Sequence, residues 1–281
     1  MKLNASEILQ KKDIQDFDYQ KMYDKCFVDI SEVLTPPETV LGIGYHDYKG
    51  KTYLNPTLTK NEMSAIIAPQ KSKKTFFKSV IAASFIGGNS QNYFPNIKTT
   101  REGDYYVLDF DTEQGTYYAQ RAFRRVVEMV GNPYPNYLPF GLKDLTDDEI
   151  VQFIDAVVND VRYKGKIAMI FIDGIADLCT NTNDIEKSNK VYQKLKQWNK
   201  GCHLCGVIHK TFDKDKATGH LGSYVQKKAE TTIFLKTTDK EVKNSPVEVK
   251  QFDARGAPFD TFYFDLDLET VLPKECENEW N

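Results

Sequence analysis

The stretch Ser64–Gly88, SAIIAPQKSKKTFFKSVIAASFIGG, constrains the fold of this chain more than any other. Ala65-Ile66-Ile67-Ala68 is a short, wholly apolar run, the pattern of a buried strand. A Lys-rich turn, Pro69 to Lys74, follows it. From Thr75 to Phe85 apolar residues recur at Phe76, Phe77, Val80, Ile81 and Phe85, which predicts a helix. Strand, basic turn and helix start make an anion site, because free backbone N–H groups, the positive helix end and a lysine converge there. The spacing follows the phosphate loop G-x-x-x-x-G-K-[ST], with Lys74-Thr75 at its K-[ST] end. Ala68 stands at the first glycine position and Lys73 at the second. Alone, the stretch reads better as a solvated basic turn before a surface helix.

At 281 residues the chain has room for one large α/β domain or two small ones. Hydrophobic residues make up 41%, enough for a sizeable core. The net charge of −3 means that any nucleic-acid contact comes from a local patch and not from global attraction. No apolar run approaches the roughly 20 residues of a membrane span. The N-terminal MKLNASEILQKKD lacks the apolar core of a secretory signal, so a cytoplasmic protein is expected. The five cysteines are too few, and odd in number, for a disulfide scaffold. Cys202 and Cys205 form a C-x-x-C that enters an apolar strand, with no second ligand pair for zinc. Structural thiols are expected there.

Along the chain, residues 1–35 read as a lead-in or interaction arm, with a short helix at Asp29–Val33, and Pro36-Pro37 ends it. Val40–Tyr53 predicts short strands and Leu54–Glu62 a polar loop. Further strands are predicted at Tyr105–Phe110, Leu138–Leu142, Ile167–Ile172 and Cys205–His209, with helices at Tyr117–Met129, Asp147–Val161 and Ile185–Asn199. Thr146 followed by Asp147, Asp148 and Glu149 is a helix-start signal. Thr211–Gly222 reads as a polar loop, and Thr231–Leu235, Val247–Phe252 and Thr261–Asp265 as successive strands. Alternation of strands and helices, followed by strands alone, predicts an α/β fold: a mostly parallel sheet flanked by helices, with an antiparallel C-terminal extension.

A phosphate loop needs acidic partners, and the carboxyl ends of neighbouring parallel strands are where they belong. Phe171-Ile172-Asp173 is apolar up to its terminal aspartate, the pattern of a strand whose acid supports Mg2+. Phe110-Asp111-Thr112-Glu113 ends another strand, and Glu113 is placed to polarise an attacking water. Either acid alone is an ordinary turn former. Together with the loop, in this order, they make nucleotide binding the better reading.

These stretches resemble the RecA/DnaB-type P-loop ATPase superfamily, most of all its compact single-domain members from plasmids, phages and integrative elements. The resemblance rests on APQKSKKTFF, VLDFDTEQG, AMIFIDGIADL, GVIHKTFDKDKATGHLGS and FDARGAPF, which are collinear between Pro36 and Asp265. It implies a RecA-like three-layer ATPase domain over residues 36–281. It implies that Ala68, Pro69, Gln70, Lys71, Ser72, Lys73, Lys74, Thr75 and Phe76 wrap ATP, and that Thr75 and Asp173 hold Mg2+. Glu113 would activate water, and Lys74 would grip the β- and γ-phosphates. Arg255 would reach the phosphates of a neighbouring subunit, making the protein a ring, hexameric in this group, or a filament. Lys210 stands where the family carries a polar γ-phosphate sensor, usually glutamine, and would touch phosphate or DNA instead. Lys214, Lys216 and His220, in the loop after the sensor strand, would track single-stranded DNA. The implied activity is a replicative helicase-like motor, with replication or recombination proteins as partners. A recombinase or annealing protein, and a nucleotide-bound regulatory protein with weak turnover, are the alternatives. The arginines Arg121, Arg124 and Arg125 read as packing and surface charge.

Overall fold

The computed structural model describes residues 18–181, 184–210, 217, 219–239 and 245–277. The chain divides between Pro36 and Pro37 into two units. In the first, helix α1 (Tyr19–Cys26) is capped by Asp18, whose carboxylate accepts from the Lys21 N–H. Tyr19, Tyr23 and Phe27 follow one another at four-residue spacing along one face, and no residue of the helix is buried. The helix expected at Asp29–Val33 does not form. The Asp29 carboxylate instead takes the Ser31 N–H at 2.8 Å and hydroxyl at 2.6 Å, a local turn that competes with helical bonding.

The second unit contains strands β1 (Thr39–Tyr48), β2 (Lys51–Thr59), β3 (Met63–Ala68), β4 (Ile97–Lys98), β5 (Tyr106–Asp111), β6 (Tyr137–Gly141), β7 (Ile167–Asp173), β8 (His203–His209), β9 (Thr231–Thr237), β10 (Val247–Ala254), β11 (Phe262–Leu266) and β12 (Pro273–Cys276). Its helices are α2 (Lys74–Ile86), α3 (Thr116–Val130), α4 (Asp147–Asn159), α5 (Ile185–Trp198) and α6 (Gly219–Lys228). The main sheet has nine strands in the order β12-β11-β10-β9-β3-β8-β7-β5-β6. From β9 to β6 every neighbouring pair is parallel, and from β9 to β12 every pair is antiparallel. The sheet is therefore mostly parallel with an antiparallel C-terminal extension, as its alternating pattern predicts.

Strand alternation sorts the core into two layers. Ile66, Val107, Phe171 and Val207 join Phe77 and Val80 of α2 and Val126 and Met129 of α3 in one cluster. Ile67, Leu108, Ile170 and Ile208 join Ile154 of α4, Leu195 of α5 and Val225 of α6 in the other. Helices thus cover both faces of the parallel region, which a parallel sheet requires. The start of α4 carries a full capping box, Thr146 with Glu149, as the acidic first turn predicts. Cys202 and Cys205 are buried free thiols, and burial pushes both up to about 12.

In this unit two local expectations fail and one strand is unforeseen. Residues 54–59, expected in a loop, belong to β2, because their polar side chains are buried and bonded. Thr57 Oγ1 accepts from Ile43 N at 3.0 Å, and Thr59 Oγ1 donates to Glu230 Oε1 at 2.7 Å. Residues 219–222, also expected in a loop, open α6, where Leu221 and Val225 supply an apolar stripe that Gly219 and Gly222 obscure in the sequence. The short edge strand β12 is not anticipated by any pattern. A small second sheet, in the order β2-β1-β4, completes the unit.

Gly88, just past α2, lies at φ +59° with the end of α3 against it, and an added Cβ would fall on the Val130 carbonyl oxygen. Its bare Cα lets the two helices of one layer close on each other. Gly88→Ala is expected to cost about 2–4 kcal/mol, from overpacking plus a left-handed backbone, measured by urea unfolding.

Candidate functional site

The loop between β3 and α2 enters the helix through Lys73, a non-glycine residue in left-handed conformation at φ 57°. Lys71 is left-handed as well, at φ 59°. Among the described residues no side chain caps the helix start, so its leading N–H groups and the positive end of α2 carry no side-chain acceptor. Gln70 and Lys71 are exposed, and Ser72 is buried. The Lys73 ammonium is drawn to the C-terminal strands: it donates to the Ser245 carbonyl and pairs with Asp265 Oδ1, both at 3.0 Å. Lys73 therefore serves the loop through its backbone, with its charge partnered elsewhere.

Lys74 is buried at the first position of α2. Its Nζ lies 2.9 Å from His209 Nδ1 and 3.5 Å from the Pro69 carbonyl oxygen. His209, the last residue of β8, presents its other nitrogen, Nε2, to Glu113 Oε1 at 2.9 Å. One imidazole thus links the loop lysine to the strand-end glutamate. Burial pulls the Lys74 ammonium below its ordinary value, partly offset by Glu113 and Asp173. Burial opposes the charge on Glu113, but the His209 hydrogen bond and the nearby cations outweigh it and hold the carboxyl below the usual range.

Glu113 reaches this position because of Asp111 and Gly174. Asp111 Oδ1 accepts the N–H groups of Glu113 and Gln114, at 3.1 and 2.8 Å, and turns the chain at the end of β5. Burial pushes the Asp111 carboxyl up to about 6. The Thr112 N–H donates to the Asp173 carbonyl at 3.0 Å, extending the β5–β7 pairing past the strand ends. Gly174 lies at φ +103°, and a Cβ there would collide with the Thr112 hydroxyl and press on Glu113 Cγ. Glu113 and His209 also line a cavity of about 660 Å³ with Thr112, Lys143, Thr146 and Asp177.

Asp173 closes β7 and is 1% exposed. Thr75 faces its carboxylate, and Lys78 Nζ stands 3.3 Å from Oδ2. Among the described residues, neither carboxylate oxygen receives a hydrogen bond of good geometry. Burial raises its pKa, and Lys78 opposes that rise. Behind it lies a network that sequence reasoning missed. Lys78 donates to Asp109 Oδ1 at 2.7 Å, and the Tyr137 hydroxyl donates to Asp109 Oδ2 at 2.7 Å. Burial opposes the Lys78 charge, but Asp109, Asp173 and Asp111 outweigh it and raise its pKa. Two signals are visible in the sequence: a lysine inside the apolar stretch of α2, and an aspartate inside the apolar strand VLDFD.

Other predicted residues fall elsewhere. Ala68 ends β3, and its carbonyl accepts the Lys210 N–H at 2.9 Å, which ties the loop's entry to the end of β8. Phe76 is a packing platform: the Arg125 guanidinium lies 3.6 Å over its ring and donates to Ser79 Oγ at 3.3 Å. Burial, with Arg121 beside it, lowers Arg125 to about 10. Arg121, Arg124 and Arg125 line a cavity of about 370 Å³ with Tyr117, Gln120 and Leu272. Arg255 is not brought to the β3–α2 loop. Its guanidinium pairs with Glu62 at 3.1 Å, immediately before β3, at the opposite edge of the sheet. His220 is exposed in the first turn of α6, and Lys214 and Lys216 lie outside the described residues.

No protein-family model matches the chain, and neither does any curated protein.

Lys73 offers a direct test of the loop's construction. A side chain in the left-handed region costs on the order of 1 kcal/mol, and the half-buried Lys73–Asp265 pair returns a similar amount. Lys73→Gly is therefore expected to be near neutral. Lys73→Ala keeps the strain and loses the pair, so it should be about 1 kcal/mol less stable than Lys73→Gly, the reverse of the helix-interior order. Chemical denaturation of the two variants measures the difference.

Proposed function

We propose that the chain is a Mg2+-dependent, ATP-hydrolysing enzyme of RecA type that works as a homo-oligomer, ring or filament, on single-stranded DNA. The observation that carries this reading is a convergence at one sheet edge. An uncapped helix start bearing Lys74 and Thr75 meets Asp173 from β7 and Glu113 from the end of β5. Phosphoryl transfer needs positioning and charge neutralisation more than covalent chemistry, and these groups supply both.

The residues fit a magnesium ion. Asp173 offers buried oxygens without hydrogen-bond partners, next to Thr75. Among the described residues, no group of three His, Cys, Asp or Glu side chains forms a metal cage. A hard ion held by one carboxylate and one hydroxyl, with phosphate and water completing its shell, matches that donor set. When bound, Mg2+ would neutralise the charge that develops on the phosphates.

The chain's own groups divide the remaining work. The N–H groups at the start of α2 bind phosphate oxygens. Lys74 exchanges His209 for phosphate. That exchange leaves His209 to orient Glu113, which is held ionised and so can take the proton of the attacking water. Arg255, at the far edge in its own chain, would reach a γ-phosphate only from a neighbouring copy, the arrangement that the oligomer reading requires. Lys214 and Lys216, which follow β8 in the sequence, would carry the DNA contacts.

A second reading has its own support. Glu113 is engaged by His209, and the second glycine position is a lysine tied to Asp265. Both features suit a nucleotide-bound regulatory protein with weak turnover.

ATP turnover with and without single-stranded DNA separates the two readings. The enzyme reading expects DNA-stimulated turnover, and Glu113→Gln should lower kcat about 10²–10⁴-fold while nucleotide still binds. Lys74→Ala should lower both binding and turnover. Turnover left intact by both changes overturns the catalytic assignment, and tight binding without turnover in the wild type favours the regulatory reading. Unwinding of a forked duplex then distinguishes a helicase from a recombinase or annealing protein.

A further inference from the structure

We infer that Lys78 is a positioning residue for the divalent cation: it holds one oxygen of Asp173 from behind and leaves the other to the metal's shell. The inference rests on the ATPase reading and deepens it. Lys78 follows Lys74 by one helical turn, so both project from one face of α2. Lys74 serves the phosphate side of that face. Lys78, with a fully buried side chain, serves the sheet side and ends 3.3 Å from Asp173 Oδ2.

The ammonium is itself fixed. Asp109 Oδ1 holds it at 2.7 Å, and Asp109 Oδ2 is held by the Tyr137 hydroxyl at 2.7 Å. The chain of contacts runs from the edge strand β6, through β5 and α2, to the end of β7. Lys78 and Asp109 alone, with Tyr137, would make a self-contained buried pair. The contact that Lys78 adds is to the one acid that also faces Thr75. It restrains by charge a carboxylate that has no hydrogen bond of good geometry among the described residues, and so sets which oxygen meets the ion. Outer contacts of this kind orient metal-binding carboxylates, and losing them weakens metal affinity by about 10–100-fold.

The test replaces Lys78, Asp109 and Tyr137 together by apolar side chains, so that neither member of the Lys78–Asp109 pair is left buried and charged without the other. The full-length triple variant Lys78→Met/Asp109→Leu/Tyr137→Phe is titrated with Mg2+ in the presence of fluorescent N-methylanthraniloyl-ADP. Its thermal unfolding is recorded alongside, since apolar replacement of a buried ion pair often leaves stability intact. The expected result is a cooperative melt, near-wild-type binding of the probe in EDTA, and a half-saturating Mg2+ concentration raised by about tenfold or more. A Mg2+ titration superposable on the wild type overturns the inference while leaving the ATPase reading in place. Wild-type protein that binds the probe neither with nor without Mg2+ overturns both. Should the triple variant not fold, the near-isosteric Asp109→Asn decides. It keeps a partner for Tyr137 and loosens Lys78, so its Mg2+ titration still shifts, and an unshifted one overturns the inference.

Discussion

Parallel strand direction is the constraint on which the site depends. When neighbouring strands run the same way, their carboxyl ends share one edge, and each return crosses a face of the sheet as a helix. In this chain β3 delivers the loop to that edge, β8 delivers His209, β7 Asp173 and β5 the Asp111–Glu113 turn. Residues far apart in sequence meet because the register is held between Ala68 and His209 and between Asp111 and Asp173. The same rule sends Arg255 away. It follows β10, which runs antiparallel to β9, so it emerges at the edge where β3 and β9 begin.

Burial then sets the electrostatics. A charge moved from water into the sheet interior is costly unless a partner compensates it. Asp109, Asp111 and Asp173 face the α2 layer close together, and Lys78 is the cation that reaches among them. It keeps its proton because three carboxylates surround it. Asp111 shows the limit of that compensation: desolvation carries its carboxyl up to about 6 despite Lys78. Nearer the loop the balance reverses. Glu113 stays ionised because His209 and Lys74 lie beside it, whereas Lys74 is weakened as an acid-holding cation by its own burial. One set of acids is structural and shielded, and the other is poised at the edge.

What the sequence made legible follows from how local each signal is. Ala65–Ala68, Ile167–Ile172 and the helix from Thr75 are apolar patterns that depend on their own segment, and each appears within two residues of its expected place. Lys74, Thr75, Glu113 and Asp173 sit at strand or helix ends, so a strand-order argument brings them together. Lys78 and Asp109 break the apolar pattern of their own elements, and their pairing depends on α2 lying across β5, which no spacing encodes. His209 was legible only as a strand end, because its role comes from the two residues its ring bridges. The polar side chains of β2 disguised a strand for the same reason: Thr57 and Thr59 are satisfied by Ile43 and Glu230, far away in sequence.

The lysine at the second glycine position of the phosphate-loop pattern has a physical account. A loop that enters a helix through a left-handed residue favours glycine there, since a side chain costs on the order of 1 kcal/mol. This chain places lysine in that conformation and anchors the side chain on Asp265 and the Ser245 carbonyl. Both anchors belong to the antiparallel extension, Asp265 in β11 and Ser245 just before β10. A glycine at position 73 would leave the loop independent of those strands. The lysine makes the loop's conformation depend on them, so a displacement of β10 and β11 is felt at the first turn of α2. The extension that carries Arg255 just past β10 is thereby joined through the Lys73 side chain to the β3–α2 loop of the same chain.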